Sequence, residues 1–526
     1  MGHDRRVTVV SLPPAAATSE LVLPSSDDPV VAGAVTAVGG PPGTHARLGA
    51  RRFWTPVRVI VVLTLLTCTL GFLQKAPCRT EGWAHGYQYT RLCYTDVFAL
   101  YGAEGLAQDK RPYLDHPVEY PVLMGAAMEV VAKAVRPFDE ADRNKRFYDL
   151  TWALLTGCAV VVAITTARLA GRRPWDAALF ALAPGLALHG TTNWDLIAMA
   201  LAGVGLLAWA RRRPAMAGVF LGLATAAKLY PILFLIPLAL LCFRSGRFKA
   251  FAIAAATTVI AFLAVTAPVY AVSPYFYADP SNGTITQVAT SPLDRIGHDG
   301  LSAFSPKVIA TLSDGRTVPG VNSVYRFFDL NTTRPADWDS LWFVLQTERG
   351  VPLDANLPPN QAPHHLNLAV ALSFIFLLIG IALLALRAPR RPRLPQLLFL
   401  VLVAFLVTNK VFSPQYAIWL LPLAVLARPR WKPFLLWQAA EILVLFTRFY
   451  YFLQLDNSGH GIPIAWFLAA VMLRDAVLLG YAALVVRDIL RPELDVVRNT
   501  AGDDPAGGVL DGADDWLGSP AVPVPA

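Results

Sequence analysis

The chain has 526 residues, of which 55% are hydrophobic and only 16% charged, with a mean hydropathy of +0.46. That is too apolar for a water-soluble domain, and it supplies many runs long enough to cross a bilayer. The formal net charge of +8 lies in short Lys/Arg runs beside apolar segments, as topology signals do, and forms no basic face, so nucleic acid is excluded as the expected partner.

From the N-terminus, residues 1–55 are rich in Ala, Pro, Val and Ser, lack helical periodicity and end in "ARLGARRFW". No long apolar run precedes Val57, so the segment is no cleavable signal peptide and is expected to be a disordered cytoplasmic arm. Basic runs then recur at "ARRFW", "RLAGRRP", "ARRRP", "FRSGRFK", "LRAPRRPR", "ARPRWK" and "VRDILRP". Placing them all on the cytoplasmic side predicts twelve spans, at 57–74, 147–168, 176–191, 195–210, 215–229, 231–243, 250–271, 366–387, 395–410, 414–427, 433–453 and 463–486. The expected fold is an all-α polytopic membrane domain over 56–486 with both termini inside. Residues 487–526, containing "GDDPAGGVLDGADDW", are expected to be a second disordered tail, this one acidic.

Residues 119–136, "EYPVLMGAAMEVVAKAVR", carry Glu129 and Lys133 at an i, i+4 spacing that makes one helical face polar. They are expected to lie on the outer membrane surface, with a short thirteenth span as the alternative. Two large outer loops follow, 75–146 and 272–365, and their aromatics ("PYFY", "VYRFFDL", "DWDSLWF") suit loops folded against the membrane face. Cys68, Cys158 and Cys242 fall in spans. Cys78 and Cys93 share the first outer loop, where an oxidising compartment permits a disulfide and two unpaired thiols are the alternative.

The candidate chemistry gathers on the outer side. Asp96, in "YTDVFALYG", and Glu119 are carboxylates in aromatic surroundings, where restricted water suits a general base for an acceptor hydroxyl; helix capping or pairing with Arg79, Arg91 or Arg111 explains them equally. Lys228 and Lys410 lie near outer helix ends stopped by Pro231 and Pro414, so two ammonium groups meet a phosphate at headgroup depth, or else snorkel. Ser413, Gln415 and Tyr416 add donors for phosphate or sugar oxygens. Asn193, Trp194 and Asp195 form an outer turn suited to a sugar or to an N-cap. His116 and His189 are also outside, but no His, Cys and acid cluster has metal-ligand spacing, so neither metal nor cofactor is expected. Glu441, Arg448, Arg474 and Asp475 fall inside spans, as mutual clips or as substrate contacts.

"TDVFALY", "EYPVL", "NWDLIAM", "GLATAAKLYP" and "NKVFSPQYAIWLLPL", in this order, resemble the multi-span C-type membrane glycosyltransferases. The match is to glycosyltransferase family 87, which includes the actinobacterial mannosyltransferases using polyprenyl-phosphate mannose, and it covers most of residues 57–486. The resemblance implies that Asp96 is the catalytic base. It implies donor phosphate or sugar binding by Lys228, Tyr230, Lys410, Ser413, Gln415, Tyr416, Asn193 and Asp195. Glu119 stands where relatives have Asp before "YPPL"; here the motif reads "EYPV", and Glu119, Tyr120 and His116 are placed on the acceptor side or in support of it. The expected reaction transfers mannose from a polyprenyl-phosphate donor to an envelope glycolipid or glycan, with inversion. The alternatives are a polyprenyl-phosphate-arabinose-dependent arabinofuranosyltransferase, a lipid or sugar transporter, and a scaffold working through its tails. The absence of an internal repeat and the one-sided motifs weigh against transport.

Overall fold

The structure is a computed structural model that describes residues 21–39, 53–81, 83, 86–355, 357–358, 361–456 and 459–517. The disorder expected for residues 1–20 and 40–52 falls outside those residues. The chain is mostly helical. Among the described residues, five helices are long and apolar enough to cross a membrane: Pro56–Thr80, Glu140–Leu169, Phe248–Val272, His364–Arg387 and Ile464–Leu490. Others in the expected spans are shorter, such as Asp195–Ala210, Pro214–Ala227 and Leu394–Thr408. At 1.5 Å per residue, a 16-residue helix such as Asp195–Ala210 rises about 24 Å, less than the roughly 30 Å of a hydrocarbon core.

Proline sets many of these boundaries. Pro184, Pro214 and Pro414 each occupy the first turn of a helical segment, where the missing N–H leaves no bond unmade. The expected span 176–191 is consequently broken into a 3-10 turn, Pro174–Ala177, and two short helices, Ala178–Ala181 and Pro184–His189. Leu394–Thr408 is apolar on every side and lies at the centre of the bundle, buried along nearly its whole length. By contrast, only 11% of the most apolar window is buried in each of Phe248–Val272 and His364–Arg387, so these two helices lie at the outside of the bundle with their apolar faces uncovered, as suits contact with lipid.

The segment expected on the membrane surface forms the helix Val122–Val135, 14 residues long, or about 21 Å. Its Glu129 and Lys133 pair at 2.5 Å. Cys78 and Cys93 form a disulfide with Cα atoms 5.9 Å apart, tying the loop to the end of Pro56–Thr80.

Two expectations are corrected. The fold is not purely α: the second large loop holds a four-stranded antiparallel sheet, β1 (Tyr275–Ala278), β2 (Ile285–Ala289), β3 (Lys307–Thr311) and β4 (Thr317–Asn322), in the order β2-β1-β4-β3. Its strands are rich in aromatic and β-branched residues, and the turns between them carry Gly283 and Gly315 at φ +70° and +84°. The second correction concerns the acidic tail, whose residues through 517 pack across the basic turns. Asp495 accepts two bonds from the Arg393 guanidinium at 2.7 and 3.0 Å, Asp515 two from Arg244 at 2.6 and 2.8 Å, and Trp209 Nε1 donates to Gly507 O at 2.8 Å. Val496, Val497, Ala506 and Leu510 are buried beneath. Part of the N-terminal arm joins this end, where Asp27 pairs with Arg173 at 2.7 Å.

Candidate functional site

A cavity of about 910 Å³ opens at the end of the bundle opposite the basic turns. Its floor is built by stitching one loop to another. Thr95 caps the helix Asp96–Ala103, its hydroxyl accepting from Val97 N and donating to Thr191 O at 2.7 Å, while Asp96 N donates to Thr192 O at 2.8 Å. Asp96 therefore projects beside the 191–193 turn. Asn193 uses its side-chain oxygen to accept from Trp194 N, which turns its amide nitrogen toward Asp96 Oδ2 at 2.9 Å and Tyr120 OH at 2.7 Å. Gln415 Nε2 approaches the same carboxylate oxygen at 3.5 Å. Amide N–H groups only donate, so both contacts suit a carboxylate and fix its orientation.

Lys228 sits just past the helix Pro214–Ala227 and is ion-paired with Asp195 at 2.7 Å. Asp195 opens the helix Asp195–Ala210, is fully buried and stands behind the cavity wall. The Lys228 ammonium lies 5.4, 5.1 and 5.7 Å from the rings of Tyr120, Tyr416 and Trp419, close enough for cation–π attraction. Tyr416 stacks on Trp419 with centroids 4.2 Å apart, and Trp419 on Tyr230 at 4.3 Å, giving one aromatic wall.

Lys410 is engaged differently from the expectation. Its ammonium donates to Arg334 O at 2.7 Å, Asn367 Oδ1 at 2.6 Å and Thr332 O at 3.3 Å, closing the C-terminal end of the helix Arg326–Thr333. Both lysines line the cavity, but neither is an unengaged ammonium, because the polar groups that meet them come from distant segments that spacing does not reveal. Ser413 Oγ donates to Asp337 Oδ2 at 3.2 Å.

Glu119 accepts from Arg334 Nη2 at 2.6 Å, and burial raises its carboxyl against the lowering effect of that guanidinium. Glu119 N donates to Glu104 Oε1 at 3.3 Å. Burial first, and the Glu119 charge second, push Glu104 up to about 8. His116 belongs to this cluster and not to the cavity: its Nδ1 is 3.8 Å from Glu104, it does not line the opening, and burial holds its pKa below the usual value.

The structure thus gathers Asp96, Glu119, Tyr120, Asn193, Lys228, Tyr230, Lys410, Ser413, Gln415 and Tyr416 around one space and leaves Asp195 and His116 outside its lining. It adds residues that the sequence reading passed over. Lys75 donates to Tyr94 O at 2.8 Å; a lysine at the outer end of a span, against the basic-turn pattern, was its only signal. Arg334, also in the lining, comes from the second outer loop, which was expected to fold against the membrane face but from which no site residue was singled out. Arg448, read with Glu441 as a mutual clip or a substrate contact, lines the cavity and pairs at 2.7 Å with Asp339 of that loop, while Arg474 pairs with Asp475 at 2.7 Å and lies 3.9 Å from Glu441.

A carboxylate held by two amides, buried cations in the lining and an aromatic wall, at one end of a bundle of apolar helices, frame a site suited to a polar ligand in a membrane protein. The chain belongs to glycosyltransferase family 87, whose family model matches residues 145–414, more than half of its length. The match includes Asn193, Lys228, Lys410 and Ser413; Asp96, Glu119, Gln415 and Tyr416 lie beyond it. No curated protein matches the chain.

Proposed function

We propose that this glycosyltransferase transfers mannose from a polyprenyl-phosphate donor to a hydroxyl of an envelope glycolipid or glycan on the outer face of the membrane. The observation that carries the reading is the Asp96 carboxylate, half-buried and oriented by Asn193 and Gln415 at the wall of a large cavity. Asp96 takes the acceptor proton as the acceptor oxygen bonds to the anomeric carbon. The bond from that carbon to the lipid phosphate breaks at the same time, the phosphate leaving with the electron pair, and one displacement inverts the centre. The charges of Lys228 and Lys410, with Tyr416, Ser413 and Gln415, stabilise the leaving phosphate. Leu233, Phe327, Leu330, Val370 and Phe405, also in the lining, suit the first isoprene units. In this reading the chain has twelve spans, C-type architecture and both termini in the cytoplasm.

The deciding experiment incubates purified protein with labelled polyprenyl-phosphate mannose and, separately, polyprenyl-phosphate arabinose, each with membrane lipids. Mannose transferred to a lipid or glycan fraction is expected. Transfer from the arabinose donor alone would move the assignment to an arabinofuranosyltransferase. Label crossing vesicles without any transfer would replace the reading with transport.

A further inference from the structure

Between β2 and β3 the chain forms a short helix, Pro292–Asp299, and a 3-10 turn, Gly300–Phe304. Leu293 and Ile296 lie one turn apart on one helical face, and Leu301 follows in the 3-10 turn, beyond the break at Gly300 with its φ of +56°. These three side chains are 55%, 42% and 87% exposed, Phe304 is 37% exposed, and Ile309 on β3 is 76% exposed. Large apolar side chains exposed within one short stretch of chain mark a contact.

What covers them is indicated by the element they are fastened to. Tyr270, near the end of the helix Phe248–Val272, donates its hydroxyl to Phe304 O at 2.9 Å, and Tyr275 OH donates to Ala303 O at 2.8 Å and Ser305 O at 2.7 Å. Val259, Ile260, Leu263 and Val272 are exposed along that same helix. The apolar edge is therefore continuous with the uncovered apolar face of a helix long enough to span a membrane, while Arg295 and Asp299, paired at 2.5 Å, supply polar groups for the headgroup layer.

We propose that Leu293, Ile296, Leu301, Phe304 and Ile309 are seated in the headgroup–acyl boundary of the leaflet at the cavity end, anchoring the sheet to the lipid surface. The anchor also positions the cavity wall. β4 runs into the helix Arg326–Thr333, whose Phe327 and Leu330 line the cavity, and Lys307 on β3 pairs with Asp329 of that helix at 2.6 Å. The wall beside Lys410 is thereby held at the depth of lipid headgroups. None of this depends on the donor sugar or the acceptor.

Nitroxide labels at Leu301→Cys and Ile309→Cys test the proposal, in full-length protein with Cys68, Cys158 and Cys242 replaced by Ala and reconstituted in phospholipid vesicles. Leu263→Cys gives a lipid reference, and Asp314→Cys, in the turn between β3 and β4, an aqueous one. Labels at 301 and 309 are expected to relax with dissolved oxygen as at 263 and to be at least severalfold less sensitive than 314 to a water-soluble nickel chelate. Nickel sensitivity equal to that at 314 would place the edge in water and overturn the proposal. Shielding from both relaxants would mean that a protein partner or second copy covers it, which also overturns it. The two labels sit on different elements, so one that disturbs its helix leaves the other to decide.

Discussion

At the scale of single residues, the site is held by pairings that make each substitution distinguishable. Asp96→Asn keeps the shape and loses the proton acceptor, so transfer is expected to fall about a hundredfold to ten-thousandfold with donor binding intact, read by comparing single-turnover rate with donor affinity. Full activity would remove Asp96 from the chemistry. Lys228→Met acts on both binding and folding. It should weaken donor affinity about ten- to over a hundredfold, the equivalent of about 1.5 to 3 kcal/mol, and by leaving Asp195 buried and unpaired it should also cost about 3–5 kcal/mol of stability. Adding Asp195→Asn should restore much of the melting temperature but not the donor affinity. Glu104 gives a pH dependence. Its carboxyl has an ordinary value of 4.5 and lies near 8 in the folded chain, so the stability it contributes is complete below about pH 4.5 and is lost progressively as pH rises to about 8. Glu104→Gln cannot ionise. Its melting temperature relative to wild type is therefore expected to climb between pH 4.5 and 8 and then level off, and a constant difference would contradict the buried neutral acid.

At the scale of elements, the disulfide and the tail are the parts most open to test. Cys78 and Cys93 are separated by 15 residues, and a loop of that size is constrained by about 3 kcal/mol in the chain-entropy model; replacing both with Ser should lower the melting temperature accordingly. Ending the chain after Leu490 would leave Arg244, Arg391 and Arg393, all buried, without their acids. A large loss of folded protein is expected, against no effect for a loose tail. The same elements show what a sequence carries. Long apolar helices are legible because their signal is local composition, and proline marks where the shorter ones begin. The site motifs were legible in type, since an acid, an amide turn and lysines at helix ends each announce themselves. The docked tail was not, because its acidity reads as solvation until the basic turns are brought beneath it. Nor was the sheet, whose strands of four to six residues are too short for alternation to stand out. The engagement of Lys228 by Asp195 and of Lys410 by Thr332 O and Arg334 O joins residues 33 to 78 positions apart, which no local pattern encodes.

At the scale of the whole molecule, sidedness ties the two ends together. One end carries the basic turns, clamped by acids from both terminal segments; the other carries the cavity, the disulfide and the sheet. The helix Glu140–Leu169 runs from one to the other, since Asp139 precedes it and Arg173 lies just past its far end. The bias of Lys and Arg toward the cytoplasm predicts that the basic end faces inward; the cavity is then expected to face outward and to take donors presented on the outer leaflet. Single cysteines at Ala103, Asp139 and Arg213 test this with a membrane-impermeant thiol reagent applied to intact cells. Ala103→Cys and Asp139→Cys are expected to react at once, and Arg213→Cys only after permeabilisation. Protection at 139 with reaction at 103 would mean that residues 119–136 cross the bilayer despite a helix of about 21 Å, which would reverse the direction of every later segment. Reaction at 213 in intact cells would turn the molecule over and place the Asp96 cavity in the cytoplasm, where an outward-facing lipid donor could not reach it.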